Sequence, residues 1–176
     1  MGFMDQLSNV LKQYTGGAAS AQVPANVNEH FDQVAQNAPP GVVANGLSEA
    51  FRSDQTPAFG QMVSGLFSQS NGEQKAGFLN HLIASAGPGV LAQIAGGGAL
   101  AGLLNSGTKQ LSPEQAQQVP PEVVQQIATH AEKTDPSIVD RASSFYAEHP
   151  TLVKTLGGAA LSVALAKIAQ STSRAA

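Results

Sequence analysis

Residues 75–109, KAGFLNHLIASAGPGVLAQIAGGGALAGLLNSGTK, are the most informative stretch of this sequence. Between Lys75 and Lys109 there is no Asp, Glu, Lys or Arg, and the stretch includes Gly87-Pro88-Gly89 and Gly96-Gly97-Gly98. A water-exposed surface normally carries charge, so we expect this segment to be covered by another part of the chain or by another molecule. The stretch therefore indicates packing and association rather than chemistry.

The composition of the whole chain limits the classes of function. Charged residues make up 12% of the 176 residues, against about 25% in an average globular protein. The net charge of −3 argues against binding to polyanions, which requires Lys and Arg. The chain has no cysteine, which excludes a disulfide framework, a thiolate nucleophile and a Cys-based metal site. Because Ala and Gly replace aromatic residues, we expect thin, tightly packed helices rather than an aromatic core.

Apolar residues recur at helical spacing along most of the chain, and no segment shows the alternation of a strand. We therefore expect an all-α fold, a compact bundle of eight to ten short helices joined by turns of Pro, Gly and Asp. The expected parts are an N-terminal amphipathic helix (1–17), a linker (18–26), a Gly-rich helical part (27–108), a C-terminal helical module (109–170) and a tail (171–176).

Residues typical of helix ends predict the bounds of several helices. We expect helices over residues 27–37, 40–52, 57–70, 73–86 and 151–170. Thr56 is the expected cap of the helix that begins at Pro57. Ser112-Pro113 followed by Gln115 is typical of another helix start. The last helix is apolar around most of its circumference, so it should be central to a core or buried by a partner.

Two apolar segments are candidates for an interaction surface. The first is a stripe on the N-terminal helix, which can dock on its own domain, on a partner or on a membrane. Asp5 balances Lys12 on its polar face, which favours protein over membrane. In the second segment, two short apolar helices hinge at the Gly96 to Gly98 triplet, and Gln93 and the glycines interrupt the apolar run needed for a membrane span. The candidate residues are Phe3, Leu7, Val10, Leu11, Val90, Leu91, Ile94, Leu100, Leu103 and Leu104.

No motif indicates an active site. The four histidines, His30, His81, His130 and His149, form no close pair, so we expect no metal site and place each of them at a helix surface or a helix end. There is no Gly-x-Ser-x-Gly nucleophile elbow. We expect no catalytic residue and no cofactor.

A helix-turn-helix is the remaining motif to weigh, in residues 121–149, where Asp135-Pro136-Ser137 separates two helices. Over residues 112–150, the six acids outnumber the two bases, Lys133 and Arg141. A phosphate backbone would be repelled by this region. A DNA-binding regulator is therefore a further alternative that the charge disfavours.

The C-terminal half resembles a known family. Leu111-Ser112-Pro113-Glu114-Gln115, Val123-Val124 with Ile127-Ala128, Asp135-Pro136-Ser137 with Val139, and Pro150 with Leu152-Val153 carry the resemblance, together with the opening Met1-Gly2-Phe3 and Asp5. This pattern is similar to the C-terminal module of the YidB-like family, small bacterial proteins of unknown function. The resemblance implies a homeodomain-like helical module and a bacterial origin, and it implies no active-site residue.

These observations favour a non-enzymatic protein that assembles with itself, as a homo-oligomer or filament, or acts as a scaffold. The alternative is association with a membrane surface through the apolar helices. The N-terminus has no basic region before a long apolar core, so we expect no secretory signal and a cytoplasmic protein.

Overall fold

Helices dominate the computed structural model, which describes residues 3–15, 23–94 and 110–175, with side chains described at 5, 8–15, 23–85 and 110–174. The helices are α1 (Phe3–Thr15), α2 (Val27–Asn37), α3 (Pro40–Arg52), α4 (Phe59–Gln69), α5 (Gly72–Ile94), α6 (Pro113–Gln117), α7 (Pro121–Thr134), α8 (Ser137–Ala147), α9 (Pro150–Val153) and α10 (Gly158–Ala175). A 3-10 turn, Lys154–Leu156, precedes α10. Ten α-helices and no strand occur in these described ranges, which confirms the all-α prediction.

The chain divides into two compact units. Unit 1 comprises Met1–Ala58 and Ser143–Ala176, and unit 2 comprises Phe59–Ala142. The division falls inside α8. Unit 1 joins the two ends of the chain because α3 and α10 pack extensively on one another, a pairing distant in sequence that helical spacing cannot reveal.

Unit 1 is built around α10, which packs on α3, on α1 and on α2. Its core side chains are Phe31, Val34, Val43, Leu47, Phe51, Tyr146, Leu161, Leu165 and Ile168. The Tyr146 ring meets Phe51 edge-on at a centroid distance of 6.4 Å, and burial raises the pKa of the Tyr146 hydroxyl far above its ordinary value. The expectation that the last helix is central is met within this unit.

The last helix differs from its expected range of 151–170. Gly157 adopts a φ of +91°, the left-handed region in which an L side chain is strained. It separates α9 and the 3-10 turn from α10, which then runs to Ala175 through the expected tail. The pair Gly157-Gly158 was the sequence signal for this break.

In unit 2, α4 packs on α7, and α5 packs on both α6 and α7. Its core side chains are Phe59, Val63, Leu66, Phe67, Phe78, Leu79, Leu82 and Ile127.

Helix α4 starts at Phe59, two residues later than expected. The hydroxyl of Thr56 donates to the carbonyl oxygens of Ala50 (2.6 Å) and Ser53 (3.0 Å). Thr56 therefore closes the end of α3, and its prediction as the cap of α4 was wrong.

Glycine allows close helix contacts in each unit. A Cβ atom at Gly46 of α3 would meet Ile168 and lie 2.9 Å from the carbonyl oxygen of Ala164, both in α10. A Cβ atom at Gly60 of α4 would meet Thr129 and lie 2.8 Å from the carbonyl oxygen of Gln125, both in α7. The expectation of close helix contacts at small residues is met at these two positions. The expectation that an aromatic core would be absent was wrong, because Phe31, Phe59, Phe67, Phe78 and Tyr146 are fully buried.

Candidate interaction surface

Helix α5 carries the first half of the uncharged stretch and is longer than expected. The Asn71 side chain accepts from the backbone N–H of Gln74 (2.9 Å), and the Gln74 side chain accepts from that of Asn71 (3.0 Å). This reciprocal capping fixes the start of the helix. The backbone then stays helical through Gly87-Pro88-Gly89 to Ile94, so the expected end near Ala86 was wrong.

The described side chains of α5 divide into a buried and an exposed face. Phe78, Leu79 and Leu82 are fully buried in unit 2, whereas His81 and Ala84 are exposed. Of the predicted interaction residues, Val90, Leu91 and Ile94 belong to α5, and their side chains lie outside the described residues. Leu100, Leu103 and Leu104, and the expected hinge at Gly96 to Gly98, also lie outside them. The sequence predictions for these positions stay predictions.

The chain returns from the uncharged stretch to the middle of α5. The Asn80 side chain donates to the carbonyl oxygen of Leu111 (3.2 Å) and accepts from the Leu111 backbone N–H (2.8 Å). Leu111 itself is 4% exposed, and α6, which follows it, packs on α5. This two-bond clamp joins positions 80 and 111, so the chain between them is held at both ends by one helix. Neither the clamp nor its donor, Asn80, was foreseen from the sequence.

The second candidate, α1, docks within unit 1. Leu11 and Tyr14 are 6% and 2% exposed, and Val10 is half-buried, against a surface formed by α10 and α2. The side chains of Phe3 and Leu7 lie outside the described residues. Of the alternatives left open by the sequence, the structure shows docking of α1 on its own unit.

A buried polar contact fixes the end of α1. The Tyr14 hydroxyl lies 2.8 Å from Nδ1 of His30 in α2, and Asn26 Nδ2 lies 3.0 Å from Nε2 of the same ring. Burial raises the pKa of the Tyr14 hydroxyl, which keeps the group protonated. His30 is 6% exposed, so its prediction as a surface or helix-end residue was wrong. His81 and His130 are exposed, and His149 precedes α9 at a helix end, as expected.

Most of the other large apolar side chains that the structure describes are buried inside the two units. Among the described side chains, Val23 is the one large apolar residue that is exposed, at 47%. A single exposed residue is normal for a soluble surface.

Two depressions on the surface are lined by polar and charged residues. A groove of about 510 Å3 lies between α3 and α10, where Lys167 Nζ pairs with Glu49 at 3.8 Å across half-exposed side chains. A second depression of similar volume lies along α7 and includes His130 and Lys133. The described residues contain no group of three His, Cys, Asp or Glu side chains that could hold a metal ion. The hydroxyl groups of Ser171 in the first depression and Thr129 in the second donate to backbone carbonyl oxygens of their own helices, those of Ile168 and Gln125 (both 2.8 Å).

No described helix is by itself long and apolar enough to cross a membrane. The pair Pro150–Leu156 and Gly158–Arg174 reaches the required length and hydropathy together, but it bends by 119° at the break between its members.

Residues 112–147 supply part of the YidB-like resemblance. Ser112 and Gln115 form the predicted capping box at the start of α6. The Asp135 carboxylate accepts from the backbone N–H (3.1 Å) and hydroxyl (2.7 Å) of Ser137, which lowers the pKa of Asp135 and fixes the turn before α8. These contacts confirm the helix starts, while the homeodomain-like arrangement stays a prediction. Comparisons with protein-family models, curated proteins and solved structures give no match to this chain.

Proposed function

We propose that the protein has no enzymatic activity and associates with further copies of itself, as an oligomer or scaffold, through the uncharged segment that starts in the second half of α5. One observation carries the proposal. The charge-free chain after Lys75 continues as an unbroken helix to Ile94 and is brought back to the same helix by the clamp between Asn80 and Leu111.

The chemistry of this segment favours a second copy as partner. Residues 76–108 carry no charge, so the surface offers no electrostatic complementarity to an acidic or basic partner. Two identical uncharged surfaces can meet without burying like charges. A self-complementary contact gives a closed dimer, and a head-to-tail contact gives a filament.

The test substitutes the apolar end of α5. We expect the wild-type protein to form oligomers in light scattering coupled to size-exclusion chromatography over a wide concentration range. Leu91→Asp places a charge in the proposed contact and should shift the protein to monomer. Gln126→Asp is the matched control, because Gln126 is exposed in the middle of another helix, α7, and lies outside the uncharged segment, and this variant should assemble like the wild type.

A wild-type protein that stays monomeric at every concentration would contradict the proposal. So would a Leu91→Asp variant that assembles as the wild type does, because the charge would then lie outside the contact. Negative-stain images of the same fractions distinguish closed oligomers from filaments. Flotation of a monomeric wild type with neutral or anionic vesicles would support the membrane-surface alternative instead.

A further inference from the structure

Two Asn-Gly pairs occur in the chain, Asn45-Gly46 and Asn71-Gly72. Glycine has no side chain to hinder its backbone nitrogen, which can therefore attack the side-chain amide of the preceding asparagine and expel ammonia. The product is a cyclic succinimide in the backbone. Both asparagine side chains are exposed, so the backbone around each glycine decides which pair reacts.

The Asn45-Gly46 pair is held in a regular helix. Gly46 lies inside α3, where its backbone N–H donates to the carbonyl oxygen of Val42, one turn earlier. The same glycine is packed against Ile168 and Ala164 of α10. Succinimide closure at this pair would break the helical hydrogen bond and turn the peptide group out of the contact with α10.

The Asn71-Gly72 pair lies at a helix start instead. Gly72 is the first residue of α5, and the first N–H groups of a helix have no carbonyl partner within it. The nitrogen of Gly72 is therefore not held in a helical hydrogen bond. The backbone N–H of Gln74 donates to Oδ1 of Asn71 at 2.9 Å. Negative charge develops on that oxygen when the Gly72 nitrogen adds to Cγ, and a donor at the positive end of a helix stabilises this charge.

We propose that Asn71 deamidates spontaneously in the folded protein, whereas Asn45 does not. The Gly72 nitrogen loses its proton and bonds to Cγ of Asn71, and the side-chain nitrogen takes up a proton and leaves as ammonia. Water then opens the succinimide: cleavage of the bond from nitrogen to Cγ gives aspartate, and cleavage of the bond to the backbone carbonyl carbon gives isoaspartate. Each product adds a negative charge at the start of α5. The reaction does not rest on the proposed assembly through α5.

The two products have opposite effects on the start of α5. Aspartate keeps the acceptor for the Gln74 N–H and places a negative charge at the positive end of the helix, which favours it. Isoaspartate adds a methylene group to the backbone between positions 71 and 72 and displaces the cap. Gly72 also lies close to α6, because a Cβ atom there would meet the Gln117 side chain and lie 3.3 Å from Cβ of Pro113. Isoaspartate therefore disturbs the contact of α5 with α6 as well.

The effect on stability is measured by chemical denaturation. Asn71→Asp reproduces the aspartate product, so its denaturation midpoint should equal or exceed that of freshly purified wild type. Aged wild type enriched in isoaspartate should show a lower midpoint than either. An enriched sample with an unchanged midpoint would contradict the effect of isoaspartate on the start of α5.

Peptide mapping by mass spectrometry tests the reaction itself on the purified full-length protein. One sample is kept folded at mildly alkaline pH and another is kept in denaturant at the same pH, and both are digested after equal times. We expect the amide of Asn71 to be lost in both samples, detected as the mass difference between an amide and a carboxylic acid. The amide of Asn45 should be lost only in the denatured sample, which is the control that this pair is reactive when unfolded. An isoaspartate-specific methyltransferase identifies the isoaspartate product.

A folded sample that retains the Asn71 amide while the denatured sample loses it would overturn the proposal, because the cap would then protect the residue. Equal loss at Asn45 and Asn71 in the folded sample would overturn it as well, because the helical backbone around Gly46 would then give no protection.

Discussion

Replacing Gly46 with alanine tests the packing of α3 on α10, which holds unit 1 together. The new methyl group would meet the Ile168 side chain and lie 2.9 Å from the carbonyl oxygen of Ala164. Ile168 can change its rotamer, but the carbonyl oxygen belongs to the backbone of α10. To accept the methyl group, the two helices must therefore move apart over their contact.

Two opposing effects set the size of the change. Overpacking a buried contact costs about 1–3 kcal/mol, and the backbone contact favours the upper half of that range. Alanine in place of glycine in a helix contributes about 1 kcal/mol in the opposite direction. We therefore expect Gly46→Ala to lower the free energy of unfolding by roughly 1–2 kcal/mol, equivalent to a fall in Tm of about 2–4 °C per kcal/mol.

Chemical denaturation followed by far-ultraviolet circular dichroism measures this change. Gly41→Ala is the control on the same helix, because a Cβ atom at Gly41 would meet nothing within 4 Å. The control should be stabilised by about 0.4–1 kcal/mol, so the two substitutions are expected to have opposite signs. Gly46→Ala with a stability equal to or above that of Gly41→Ala would refute the conclusion that α3 and α10 are in tight contact at this point.

Two further predictions concern unit 2, one at the contact between α4 and α7 and one at the turn before α8. Gly60→Ala should destabilise unit 2 by roughly 1–2 kcal/mol, because the added Cβ would lie 2.8 Å from the carbonyl oxygen of Gln125; an unchanged denaturation midpoint would contradict this. The hydrogen bonds from Ser137 lower the pKa of Asp135 in the folded state. Their stabilising contribution is therefore present above the unfolded pKa, near about pH 4, and is lost as the pH falls through the lower folded pKa. Asp135→Asn should remove this part of the acid dependence; thermal unfolding over an acid pH series with equal slopes in both proteins would count against it.

The sequence predicted the bounds of a helix correctly where a local signal, such as a proline, marks its end. The bounds of α2 and α3 are as expected because Pro39-Pro40 separates them and Pro40 opens α3. The start of α4 was missed because a hydroxyl such as that of Thr56 can serve the helix before it as well as the helix after it. The length of α5 was missed because Gly87-Pro88-Gly89 is usually a turn, and here the helix continues through it.

The sequence could not predict contacts between residues that lie far apart along the chain. Spacing places Tyr14 on the apolar face of α1, but it cannot indicate that His30 lies opposite it. The clamp between Asn80 and Leu111 likewise joins positions 31 residues apart, with no pattern in either segment. For the candidate surface, the sequence shows that the segment carries no charge. The structure adds that α5 continues unbroken to Ile94 and that the chain returns to α5 at Leu111.

The burial of the tyrosines in unit 1 has a spectroscopic consequence. Tyr14 and Tyr146 are the two tyrosines of the chain, tryptophan is absent, and both tyrosines belong to unit 1. Tyrosine emission is therefore an intrinsic reporter of unit 1, and unit 2 is silent in that signal. Circular dichroism reports the helices of both units at once. A denaturation curve recorded by both methods on one sample will show a single cooperative transition if the midpoints coincide, and two separately folding units if they do not.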